Sequence, residues 1–192
     1  MNRSIKVHML LPLVLVLVCL SPASAALVDF STSASLNGGG NIYNQGGLTL
    51  TFTGVNVVGL LTPSNTSFGT IDTGISAVDP PQNVNIPFVL TITQTVPSGG
   101  SGNLLATVSG TIAFDQSNAN IAFSTTMVQL GLVTYQLANT SYALVPPNTN
   151  SGRTTIQGVV DAVPEPSSWA LLGGGVVLLL LNRRRIGLRR VS

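Results

Sequence analysis

Three carboxylates in the middle of the chain, Asp72, Asp79 and Asp115, are the side chains best suited by type to do chemistry. A facing pair of them would supply the acid and the base or nucleophile of glycoside hydrolysis. Such a pair needs sugar contacts around it, and a sugar-binding surface needs an aromatic platform. The chain has one tryptophan, Trp169, in an apolar stretch remote from the aspartates. Its three tyrosines are Tyr43, Tyr135 and Tyr142, so a platform would need two of them on one exposed face. A carbohydrate-binding module or a two-carboxylate carbohydrate-active enzyme is therefore the alternative reading. The favoured one places the aspartates in turns, where their side chains bond the local backbone. No catalytic residue is expected, and the chain is read as not an enzyme.

Other chemistries fail on inventory. The single cysteine, Cys19, the single histidine, His8, and the only lysine, Lys6, all precede residue 26. Beyond that point there is no thiol, imidazole or ammonium side chain. Disulfides, zinc sites built from Cys and His, and Ser-His-Asp or Cys-His machinery are excluded there. No phosphate-binding glycine loop precedes a lysine. Asp115, Asn118 and Asn120 offer oxygen ligands for Ca²⁺, but one carboxylate with two amides is a plain polar turn first. No metal and no cofactor are expected. The net charge of +2 also misleads. Between Ala26 and Val163 the only cation is Arg153, against Asp29, Asp72, Asp79, Asp115 and Asp161. That segment is mildly acidic, which excludes a nucleic-acid footprint.

The elements that carry these residues read as strands. Residues 26–162 are rich in Thr, Ser, Asn, Gly and Val and lack Glu and Lys, a composition that disfavours helix. Period-two alternation places Leu48, Leu50 and Phe52 opposite Thr49, Thr51 and Thr53. It places Leu90, Ile92 and Val96 opposite Thr91, Thr93 and Thr95. Leu104, Ala106, Val108, Ile112 and Phe114 form a third apolar face, and Val133, Tyr135 and Leu137 a fourth. Weaker strands are expected at Val55–Leu61, Ile121–Thr126, Met127–Leu132, Tyr142–Val145 and Thr154–Val160. Pro97 to Gly102 reads as the loop of a hairpin between Phe88–Val96 and Leu104–Phe114. About eight short strands at this spacing predict an all-β fold, an antiparallel β-sandwich, with a β-helix as the alternative. The threonine triplets resemble ice-binding faces, but threonine is a common solvent-facing strand residue.

Both flanks read as targeting segments. Arg3 and Lys6, an apolar core from Met9 to Leu20 and the small residues Ala23-Ser24-Ala25 predict a signal peptide over 1–25. Cleavage is expected between Ala25 and Ala26. Residues 163–192 begin Val163-Pro164-Glu165-Pro166, continue through an apolar run from Trp169 to Leu181, and reach Arg183-Arg184-Arg185. The two prolines hold the acidic element extended, as a peptide entering a protease cleft must be. The apolar run spans about 20 Å as a helix, or about 26 Å from Pro166 to Asn182. A bilayer core is roughly 30 Å thick, so a transmembrane helix over 167–182 is short but workable. The arginines, as the stop-transfer signal and basic tail (183–192), put that side in the cytoplasm. The exported domain, 26–162, then lies outside it.

This ordered set closely resembles the PEP-CTERM sorting signal of Gram-negative bacteria. The resemblance rests on Val163, Pro164, Glu165 and Pro166, the apolar run, and Arg183, Arg184 and Arg185, about thirty residues in all. It implies an exosortase as partner, cleavage near the Pro-Glu-Pro element, and a link to exopolysaccharide and biofilm matrix. The protein is accordingly expected in the inner membrane transiently, then at the cell surface or in the matrix. The central domain more loosely resembles the choice-of-anchor β-rich ectodomains, by layout and texture.

Overall fold

A computed structural model describes residues 25–162. Twelve strands follow one another: β1 (Leu27–Leu36), β2 (Ile42–Gln45), β3 (Leu48–Thr53), β4 (Asn56–Leu61), β5 (Ser64–Gly74), β6 (Gln82–Val96), β7 (Gly100–Ile112), β8 (Asn120–Phe123), β9 (Met127–Leu130), β10 (Val133–Leu137), β11 (Ser141–Ala143) and β12 (Arg153–Ala162). A single 3-10 turn, Asn150–Gly152, precedes β12. Among these residues no helix is long and apolar enough to cross a membrane. All pairings are antiparallel and build two six-stranded sheets. Sheet A has the order β11-β8-β7-β6-β1-β4 and sheet B the order β2-β3-β5-β12-β10-β9.

Alternation decides which side chains meet. Leu48, Leu50 and Phe52 of β3, Ile86, Phe88, Leu90 and Ile92 of β6, and Leu104 and Val108 of β7 all turn inward and are buried. One edge-to-face aromatic chain runs through the core: Phe52 to Phe88 (5.9 Å), Phe88 to Phe123 (6.0 Å) and Phe123 to Tyr142 (6.0 Å). A second cluster joins Phe30 to Phe68 (6.0 Å) and to Tyr135 (5.3 Å). Each buried ring removes enough apolar area to contribute about 1.5–3 kcal/mol. Bulges between Val28 and Phe30 and between Ile156 and Gln157 break the ladders and add twist, curling the sheets.

The all-β sandwich expectation agrees with this architecture, and a β-helix does not. Details differ. The β6–β7 loop is Pro97-Ser98-Gly99, because Gly100, Ser101 and Gly102 already pair with Gln94, Thr93 and Ile92. Gly102 suits that strand position since an added Cβ would lie 2.3 Å from Val128 Cγ2. Val96 is exposed near the strand end, and Gln94 takes the last buried inward position instead. Phe114 also faces solvent, because β7 stops at Ile112 and the backbone N–H of Ala113 turns to bond Gln116 O. β1, β2 and β5 were not among the expected strands. In β5 the buried Phe68 and Ile71 are three apart, which breaks a period of two. Gly69, at φ +130°, and the adjoining bulge restore the inward direction of both.

One end of the sandwich gathers both ends of the described chain. Leu27 at the start of β1 pairs with Leu61 at the end of β4. Asp29 pairs with Val96 at the end of β6, and Ala162 at the end of β12 pairs with Val133 at the start of β10.

Candidate functional site

The outer face of sheet A is an extended polar surface. Its registers align polar side chains across strands. Ser31, Thr93 and Ser101 form one row across β1, β6 and β7, and Ser33, Thr91 and Asn103 the next. Asn85, Ser109 and Asn120 form a third across β6, β7 and β8, with Asn83 beside Thr111 beyond it. Between these polar rows lies an apolar cross-strand pair, half-buried Val89 and exposed Leu105, with Ser35 beside Val89 on β1. Thr91 Oγ1 donates to Asn103 Oδ1 (2.9 Å), and Thr111 Oγ1 donates to Asn83 Oδ1 (2.6 Å). These bonds orient the amides and leave their N–H₂ donors for an outside acceptor. None of the named positions is charged or aromatic. The one ionisable side chain on this side of β1, Asp29, is tied at the strand end, where its Oδ1 accepts from Gly59 N (2.6 Å).

The outer face of sheet B differs by carrying charge. One row runs Ile42, Thr51, Asp72, Arg153 across β2, β3, β5 and β12. Arg153 Nε donates to Asp72 Oδ1 at 2.9 Å, and the carboxylate holds the guanidinium pKa above its ordinary value. The neighbouring row is Thr53, Thr70, Thr155. The two threonine triplets of the sequence therefore lie on different sheets, Thr49/51/53 on B and Thr91/93/95 on A.

Each candidate carboxylate has its own surroundings. Asp72 is engaged by Arg153. Asp79 lies over Gly47, where an added Cβ would approach its Oδ2 to 2.7 Å. Asp115 is exposed in the turn that follows β7. Among the described residues, two shallow depressions can be named. One is lined by Pro81, Thr111, Ala113, Gln116, Ser117 and Asn118, the other by Asn65, Thr66, Ser67, Ala138, Gln157 and Gly158. Neither lining includes a carboxylate or an aromatic ring. Asn118 Oδ1 accepts from Thr111 N (2.6 Å), which makes it a turn-former. Among the described residues no three His, Cys, Asp or Glu side chains gather as a metal site.

The tyrosines go to the interior. Tyr135 is fully buried, and Tyr142 is buried with its hydroxyl donating to Gln157 O (2.5 Å). Only Tyr43 reaches solvent, its hydroxyl on Gln45, so no two tyrosines share an exposed platform. Tyr135 donates to Gln94 Oε1 (2.9 Å), and Gln94 Nε2 donates to Ser98 O (2.7 Å). Burial pushes the Tyr135 phenol above its ordinary pKa. Thr32 works similarly, donating to Phe68 O (2.8 Å) and accepting from Val55 N (2.9 Å). The sequence offers no sign of these buried polar partners. It does carry one sign of the sheet A face: Ser31, Ser33 and Ser35 at strand spacing.

The expected targeting residues flank the sandwich in sequence. Val163, Pro164, Glu165, Pro166, the expected membrane helix and Arg183, Arg184 and Arg185 lie outside the described residues, as does the expected signal peptide through Ser24. Ala25 and Ala26 immediately precede β1, and Ala26 O accepts from both Thr62 N (3.1 Å) and Thr62 Oγ1 (3.2 Å).

Fold and flanks together define an all-β, two-sheet domain joined to a terminal sorting signal. The PEP-CTERM protein-sorting motif matches residues 162–185, and the chain carries that motif. It implies an exported, membrane-transiting protein with an exosortase as its processing partner. No curated protein and no solved structure matches the chain.

Proposed function

We propose that this is a non-enzymatic protein of the cell envelope or extracellular matrix. Its exported domain contacts neutral exopolysaccharide in the biofilm through the outer face of sheet A. An exosortase cuts it near Pro164-Glu165-Pro166, after the signal peptide is removed between Ala25 and Ala26, and the domain is delivered to the surface or matrix. Until that cut the helix over 167–182 anchors it, with Arg183, Arg184 and Arg185 in the cytoplasm.

The observation that carries the reading is the set of uncharged hydroxyl and amide rows on β1, β6 and β7 beside the apolar Val89–Leu105 pair. A neutral sugar ring presents hydroxyl edges and C–H faces, and this surface presents partners for both. Aromatic stacking contributes nothing here, so many weak polar contacts along a chain must supply the affinity.

Co-sedimentation of the mature protein with the producing organism's own exopolysaccharide tests it. Retention should be equal at low and high salt, because no charge takes part. Thr91→Glu should reduce it, since a carboxylate in that row loses solvation under a bound sugar. Absence of retention, or retention that salt abolishes, overturns the assignment.

A further inference from the structure

Four exposed apolar side chains share one end of the sandwich. Leu61 is 60% exposed and Leu27 is 54% exposed, and the two are direct cross-strand partners. Val96 and Leu132 are the exposed apolar residues of the neighbouring strand end and turn. The strand directions bring all four to the end of the sandwich where β1 begins and β12 ends. The loops there, Thr62-Pro63, Pro97-Ser98-Gly99 and Gly131-Leu132, carry no charge. The last two meet across the sheets, since a Cβ on Gly131 would lie 3.0 Å from Ser98 Oγ. Val58 of β4 is exposed as well and extends the apolar surface from Leu61, while Val57 and Leu60 turn in to pack against the core.

Chain connectivity limits how far this end can lie from the apolar run. Only residues 163–168 separate Ala162 from Trp169, where the apolar run starts. Fully extended, that link reaches no more than about 25 Å. While the run lies in a bilayer, the Leu27–Leu61–Val96–Leu132 end is therefore tethered beside the lipid surface.

We infer that this end is a membrane-docking surface that inserts its apolar rim at the headgroup–acyl boundary of the bilayer before the tail is cut. The inference rests on the anchored state proposed above. The contact is apolar, not electrostatic: no lysine or arginine lies at this end, while Asp29 and Asp161 do. Docking should therefore be as good on zwitterionic vesicles as on anionic ones. It would hold the sorting element close to the membrane surface, where a membrane-embedded protease works, and would be released once the tail is gone.

The mature chain has no cysteine, since Cys19 precedes residue 26, so single labels can be placed cleanly. The full mature chain would be reconstituted in phosphatidylcholine vesicles with a fluorophore at Leu61→Cys or Leu132→Cys. A third label at Val78→Cys, in the β5–β6 loop at the opposite end, is the control. Headgroup-borne and shallow acyl-borne nitroxides should remove about half the emission at positions 61 and 132, as expected for groups at that boundary, and little at 78. Leu27→Ser should diminish the loss at 132. Equal emission at all three positions in chains that float with the vesicles overturns docking and leaves the anchor standing. Failure to float overturns both.

Discussion

Tyr135→Phe is the sharpest test of the interior. The substitution removes one oxygen and keeps the ring against Phe30, 5.3 Å away. What it takes from the protein is the 2.9 Å bond to Gln94 Oε1. Gln94 is 1% exposed, so water cannot replace the lost donor. A buried acceptor left without a partner costs about 1–3 kcal/mol. In a domain of this size that lowers the melting temperature by roughly 4–12 °C. Adding Gln94→Leu removes the orphaned oxygen, and Ser98 O, on an exposed loop, can turn to water. The double variant should thus recover about 1 kcal/mol relative to the sum of the single changes. Urea midpoints measure both quantities. A Tyr135→Phe variant within about 0.3 kcal/mol of wild type, or strict additivity, refutes the buried bond. The pH dependence gives a second readout. Burial raises the phenol pKa in the folded state, so the unfolded chain ionises first, near pH 10. The stability this group supplies is whole below pH 10 and is lost as pH rises toward the folded value, at up to about 1.4 kcal/mol per pH unit. Tyr135→Phe should lack that component, and its stability should fall less steeply above pH 10.

Gly110→Ala should destabilise by about 3 kcal/mol or more, read from urea midpoints: the residue sits at φ +131° and a Cβ would meet Ala119 Cα at 2.4 Å. Gly99→Ala, with nothing within 4 Å, should be neutral in the same assay. Arg153→Gln should leave the urea midpoint unmoved at any salt concentration, because its pairing with Asp72 lies on the solvent face and is screened. Mass spectrometry of the protein from cells with and without exosortase should show an N-terminus at Ala26 in both and a C-terminus near Pro164-Glu165-Pro166 only with the enzyme. The same C-terminus in both strains would remove the processing step.

Much of the fold was legible because a strand with one buried face writes itself as alternation. β3, β7 and β10 read directly from Leu48-Leu50-Phe52, Leu104-Ala106-Val108 and Val133-Tyr135-Leu137. β1 escaped because its outward positions are serines and its inward ones include Thr32 and Ala34, too small and polar to signal a core face. β5 escaped because a bulge is invisible in a period-two count. The sheet A face escaped in part because its rows exist only across strands, and sequence spacing cannot place Ser31 beside Thr93 and Ser101.

The sequence by itself determined what is local or countable. It decided the absence of thiol, imidazole and ammonium groups from residues 26–162, the near neutrality of that segment, and the ordered PEP-CTERM motif, because inventory and short-range order need no fold. The tertiary structure alone decided what depends on long-range pairing. It sent Tyr135 and Tyr142 inside, gave Gln94 a buried partner 41 residues away, and brought Leu27, Leu61, Val96 and Leu132 to one end. Those outcomes follow from strand order and register, which are fixed by how two apolar faces close on each other, a property no single stretch of chain possesses.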